Sequence, residues 1–150
     1  MTRFRWWAIS AFALAFAFAE AATVLFLKKL YFPEGWRAPF HPIPPDGLLL
    51  EQGREAATLV MIAAVAFAGR PGAREGIARG LWIFGVWDAF YYACLRALSP
   101  FPAGLFDRDI VFLIPHAWIF PVWVPLVGSL ASMIVAVFLG RPASARRVLG

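Results

Sequence analysis

Glu20, Glu55, Asp88 and His116 each fall inside a different long apolar stretch of the chain. An ionisable group in hydrocarbon costs roughly 3 kcal/mol or more, so such residues face a bundle interior and mark a site. With a helical rise of about 1.5 Å per residue, Glu20 lies about 12 Å from one common boundary and Glu55 about 10 Å. The same rise puts Asp88 about 15 Å and His116 about 9 Å from it. Three acids and an imidazole at matched depth predict one polar cluster in the outer half or near the midplane of a membrane.

Local spacing adds members. Glu51 and Glu55 are four residues apart and share a helix face, which Thr58 extends. Arg54 points about 100° away from Glu55 and can reach Glu20 or Asp88 on another helix. Tyr91 and Tyr92 follow Asp88 by three and four residues, where their hydroxyls can hold a carboxylate or relay a proton. Glu20, Glu51, Glu55 and Asp88 then face Arg54 and His116. That surplus of acid requires protonation or a bound cation.

Glu55 and Asp88 are the expected proton- or cation-carrying acids. Arg54 balances charge, and Glu20, Glu51, Tyr91, Tyr92 and His116 support them. Carboxylates with an imidazole also suit iron, manganese or zinc, although paired Glu-x-x-His motifs of a di-iron bundle are missing. His41 could supply a second imidazole, even to a haem, if its loop folds inward. A protonated carboxylic acid acting on a lipid or isoprenoid is the second reading. An accessory subunit docking by apolar faces, or a homo-oligomer, is the third. A network that only fixes helix packing competes with all three. No cofactor is specified. No nucleophile elbow, phosphate-binding glycine loop or Asp-rich diphosphate motif is present.

The elements that must hold these residues are four apolar stretches at about 6–27, 48–68, 80–98 and 110–139. Gly69-Arg70-Pro71-Gly72, Ser99-Pro100 and Gly140-Arg141-Pro142 end the last three. Together they predict an all-α, four-helix transmembrane bundle. Its fourth helix is interrupted by Pro115, Pro121 and Pro125, either as a kink or as a short re-entrant piece before a span starting near His116. Arg3, Arg5, Arg70, Arg74, Arg79, Arg141, Arg146 and Arg147 lie on one side, against Lys28, Lys29, Arg37, Arg96 and Arg108 on the other. This asymmetry predicts a multi-pass inner-membrane protein with both termini cytoplasmic. Residues 1–24 also carry features of a secretory signal, with Ala17-Phe18-Ala19 as a cleavage site. The apolar run continues to Leu27, however, and favours an uncleaved helix. The proline- and aromatic-rich loop from Tyr31 to Asp46 predicts a rigid outer cap.

Composition sets the class. The chain has 150 residues, 61% of them hydrophobic, and a mean hydropathy of +0.70. About half apolar is usual for a soluble domain, so the lipid bilayer is the expected solvent. The formal net charge of +5 does not imply nucleic acid, because the arginines sit in short segments between apolar runs. The single cysteine, Cys94, excludes an internal disulfide and reads as a buried thiol.

Three strings carry a resemblance: Glu51-Gln52-Gly53-Arg54-Glu55-Ala56-Ala57-Thr58-Leu59, Trp87-Asp88-Ala89-Phe90-Tyr91-Tyr92 and Asp109-Ile110-Val111-Phe112-Leu113-Ile114-Pro115. Over about residues 30 to 130 the chain resembles a family of small uncharacterised bacterial membrane proteins. The resemblance implies the membrane class and no particular activity.

Overall fold

The computed structural model describes residues 3–141. Arg146 and Arg147, counted in the charge asymmetry, and Pro142 lie outside the described residues. Four helices and one small hairpin make up the fold: α1 (Arg3–Tyr31), α2 (Pro45–Phe67), α3 (Ala73–Leu98), β1 (Arg108–Phe112), β2 (Trp118–Pro121) and α4 (Trp123–Gly140).

Helix ends follow the punctuation of the sequence. Pro45 opens α2, where its missing N–H costs nothing, and Asp46 favours the positive helix start. Gly69, at φ +75°, turns the chain after α2. The Ser99 hydroxyl donates to Leu95 O at 2.7 Å as α3 stops. Between α1 and α2 the proline-rich segment forms turns and extended chain, with no regular helix.

The central element is α3, against which α1, α2 and α4 all pack. Small residues permit the approach. Ala13, Ala17 and Ala21 recur every fourth residue of α1 and are fully or nearly fully buried. On α3, a Cβ added at Gly85 would sit 2.6 Å from Ser129 O and 2.7 Å from Met133 Cγ of α4. One apolar cluster joins Ile9, Ala13, Ala17, Ile62, Ala66, Ile83 and Trp87, at the end holding the start of α1 and the close of α2. Large apolar side chains point outward from every helix, among them Phe18, Val60, Phe90 and Ile134.

The 110–139 stretch departs from the expected interrupted helix. Residues 108–121 form an antiparallel hairpin, pairing Arg108 with Pro121, Asp109 with Phe120, Ile110 with Ile119 and Phe112 with Trp118. A bulge falls between Ile110 and Phe112. Only residues from Trp123 onward are helical. The reason is local: Pro115 lies in the turn and Pro121 ends a strand, while the intervening β-branched and aromatic residues favour extended chain. Pro125 lies in the first turn of α4, where no intrahelical amide bond is lost.

Two helical segments, Trp6–Tyr31 and Trp123–Gly140, are long and apolar enough to cross a membrane by length and composition. The second and third expected spans carry more charge along their length. Their boundaries nevertheless differ from the expected 48–68 and 80–98 by only a few residues at most ends.

Candidate functional site

The site is built on one face of each of three helices. Glu20, Val24, Leu27, Lys28 and Tyr31 of α1 all line a single cavity. Their spacing of four, three, one and three residues is that of one helical stripe. From α2 come Glu51, Arg54, Glu55 and Thr58; from α3 come Trp87, Asp88, Tyr91 and Tyr92. Strand β1 crosses over them and adds Asp109, Ile110 and Phe112. The cavity volume is about 100 Å³, room for a handful of waters or one small cation.

Arg54 is the hub of one half. Its Nη1 donates to Glu20. Its Nη2 and Nε donate to Glu51 Oε2 at 3.0 and 3.1 Å. Thr58 Oγ1 completes the group at 3.1 Å from Glu20 Oε1. Two buried carboxylates therefore share one guanidinium, whose planar fork serves both.

Asp109 is the hub of the other half and is 1% exposed. Its Oδ1 accepts from Trp36 Nε1 at 3.0 Å and its Oδ2 from the Tyr92 hydroxyl at 3.1 Å. Lys28 Nζ lies 3.6 Å from Oδ1. That ammonium also sits 4.3 Å from the Trp36 ring centre and 3.7 Å from that of Phe101, a cation–π box. Burial pushes the Asp109 carboxyl above its usual range, against the opposing pull of Lys28 and of its hydrogen bonds.

Glu55 plays a fastening part. Both of its oxygens accept from the Leu113 N–H, at 3.1 and 2.9 Å, while Gln52 Nε2 donates to Leu113 O at 2.8 Å. The end of β1 is thus held to α2 by two side chains that imitate a neighbouring strand. Asp88 is tied more lightly. Its Oδ2 accepts from Ser129 Oγ at 2.5 Å, and it has no ion pair among the described residues.

Of the residues expected to converge, Glu20, Glu51, Arg54, Glu55, Asp88, Tyr91 and Tyr92 line this cavity together. His116 does not. It is exposed on the hairpin turn, 5.9 Å from the Trp118 ring, because the prolines hold this segment out of the helix. His41 is also exposed, stacked on Phe32 at 4.3 Å and paired with Glu34 at 3.1 Å. The two imidazoles therefore do not join the carboxylates. Among the described residues no group of three His, Cys, Asp or Glu side chains could hold a metal ion. Cys94 is buried.

Sequence reasoning missed Lys28, Trp36, Asp109 and Ser129. Lys28 was signalled by the α1 stripe that begins at Glu20; for Asp109 the signal was an acid at the head of the β-forming run Ile110-Val111-Phe112. Nothing local marked Trp36 or Ser129.

The chain matches no protein-family model, no curated protein and no solved structure.

Proposed function

We propose that this chain is a four-span membrane protein with both termini cytoplasmic, and that its outward-facing cavity captures protons or a small cation. No more than two carboxylates hold the cation, because no three are grouped to hold a metal ion among the described residues. One observation carries the reading. Glu20, Glu51, Glu55, Asp88 and Asp109 line one small cavity against Arg54 and Lys28. Acids in such excess, away from bulk water, are accommodated by protons or by a bound cation.

The membrane reading is supported by where polarity lies. Glu51, Arg54 and Glu55 of α2 and Asp88 of α3 face the cavity, while Leu49, Val60, Met61 and Phe90 face outward. The other charges of these helices, Asp46, Arg74, Glu75, Arg79 and Arg96, lie within two turns of a helix end. A soluble monomer rarely exposes apolar surface on this scale. Below the cavity, the Ile9, Ala17, Ile62 and Ile83 cluster forms an apolar floor. This favours loading and release from one side over conduction through the bundle. Asp88 accepts a single hydrogen bond, from Ser129, and has no ion pair among the described residues; it is the proposed exchanging group. Glu55 serves to hold the hairpin. The cavity volume of about 100 Å³ is below the roughly 300 Å³ at which pockets begin to enclose organic ligands. That argues against acid catalysis on a lipid chain inside it.

Proton release on cation binding tests the proposal. The detergent-purified chain is titrated in weak buffer with sodium, magnesium, manganese and tetramethylammonium chlorides beside a pH indicator. We expect saturable proton release with at least one of them, lost in Asp88→Asn and kept in Asp46→Asn, an exposed control. For protons alone, infrared difference spectra between acid and alkaline samples should show a carboxyl band that Asp88→Asn removes. Absence of both signals overturns the reading.

A further inference from the structure

Outside the acidic cavity lies a second one of opposite charge. Lys28, Lys29, Arg37 and Arg108 line it, with Asp107 as its acid. The Asp107 Oδ2 atom is already engaged by the backbone N–H groups of Ala103, at 2.7 Å, and Gly104, at 3.2 Å. The groove has a volume of about 900 Å³, within the range of ligand pockets. Lys28, Phe32 and Trp36 line both cavities and form the wall between them.

Two independent observations point to an anion. First, the Lys28 side chain is 9% exposed. Among the described residues its Nζ is held by the Asp109 carboxylate at 3.6 Å and by the Trp36 and Phe101 rings, without a hydrogen bond of normal length. An ammonium carries three donors, and a buried one left without hydrogen bonds is costly. Second, basic residues are disfavoured on the outward side of a membrane protein. Of the five outward ones named above, Lys28, Lys29, Arg37 and Arg108 converge on this one groove. Scattered solvated charges would not do so.

We infer that this groove binds the phosphate of a membrane lipid headgroup, with Arg37 and Arg108 as exposed clamps and Lys28 as a buried positive charge in the wall behind it. A phosphate offers several acceptor oxygens to guanidinium and ammonium groups. The source is lipid rather than free phosphate because exposed apolar side chains neighbour the basic residues along the chain. Phe26 and Leu30 flank Lys29 on α1, and Phe106 stands exposed beside Arg108. An acyl chain can lie along these side chains while the headgroup enters the groove. The inference rests on the proposed membrane orientation but concerns a different cavity from the proposed cation site, so the failure of that site leaves it intact.

Native mass spectrometry of the full chain in non-ionic detergent tests it, with dioctanoyl phosphatidic acid as the probe. One saturable adduct is expected. Dioctanoylglycerol, which lacks the phosphate, should bind at least tenfold more weakly, about the worth of one charge-assisted contact. Arg37→Gln/Arg108→Gln should weaken the phosphatidic acid adduct by a similar factor. Both residues are exposed, so the fold should survive. Lys28→Met should also weaken it. Equal binding of the two lipids, or an unaffected double variant, overturns the site. Displacement of the lipid by an equimolar concentration of inorganic phosphate overturns the lipid source.

Discussion

Arg54 answers to two carboxylates, and its removal leaves both Glu20 and Glu51 without their cation. Breaking a buried pair from one side costs roughly 3–5 kcal/mol, while replacing all members by neutral groups is often harmless. The Arg54 side chain is 24% exposed, so the lower end of that range applies. Arg54→Met should therefore lower the midpoint of SDS-induced unfolding, and Glu20→Gln/Glu51→Gln/Arg54→Met should recover most of the loss. Asp109 gives a second prediction at this scale. Because burial raises its carboxyl, the folded chain binds that proton more tightly than the unfolded chain does. The stabilisation is fully present below the ordinary carboxylate range and disappears as pH rises through the raised value. Stability should fall across that window, and Asp109→Asn should flatten the slope in unfolding curves recorded pH by pH.

At the scale of elements, close packing of α3 on α4 turns on Gly85, whereas Gly53 of α2 has open space where a Cβ would go. Gly85→Ala forces backbone and Met133 aside and should cost about 1–3 kcal/mol. Gly53→Ala meets nothing and should gain up to about 1 kcal/mol from helix propensity. Equal unfolding midpoints for the two variants would contradict the packing described. The three helices that carry the site were legible because their apolar runs end in Lys28-Lys29, in Gly69-Arg70-Pro71-Gly72 and in Ser99-Pro100. Glu20, Glu55 and Asp88 were legible because acids within apolar runs must face inward. Arg54 was read as reaching Glu20 or Asp88, and Glu20 is its partner. The hairpin was not legible. Residues 110–139 are apolar throughout, so hydropathy cannot separate a strand from a helix, and the prolines admitted more than one geometry. His116 was misplaced with it. Asp109 was hidden for a related reason: its partners Trp36 and Tyr92 are 73 and 17 residues away, and only the tertiary fold brings them together.

For the whole molecule, the proposed orientation sets which surfaces meet which solution. In a Cys94→Ala background, Arg37→Cys in the proline-rich cap should react with a membrane-impermeant maleimide on intact cells. Arg74→Cys, at the opposite end, should react only after permeabilisation. Labelling of both from the same side would rule out the four-span topology and favour spans at α1 and α4 alone. Orientation also fixes what the apolar floor does to charge. A charge driven fully across a membrane exchanges roughly 2.3 kcal/mol with a potential of 100 mV. Most of that drop falls across the driest layer, which here is the layer of Ile9, Ala17, Ile62 and Ile83 rather than the polar recess above it. A cation settling beside Asp88 would therefore cross only a small part of the electrical distance. Its occupancy should follow external concentration and acidity, and stay nearly indifferent to membrane voltage.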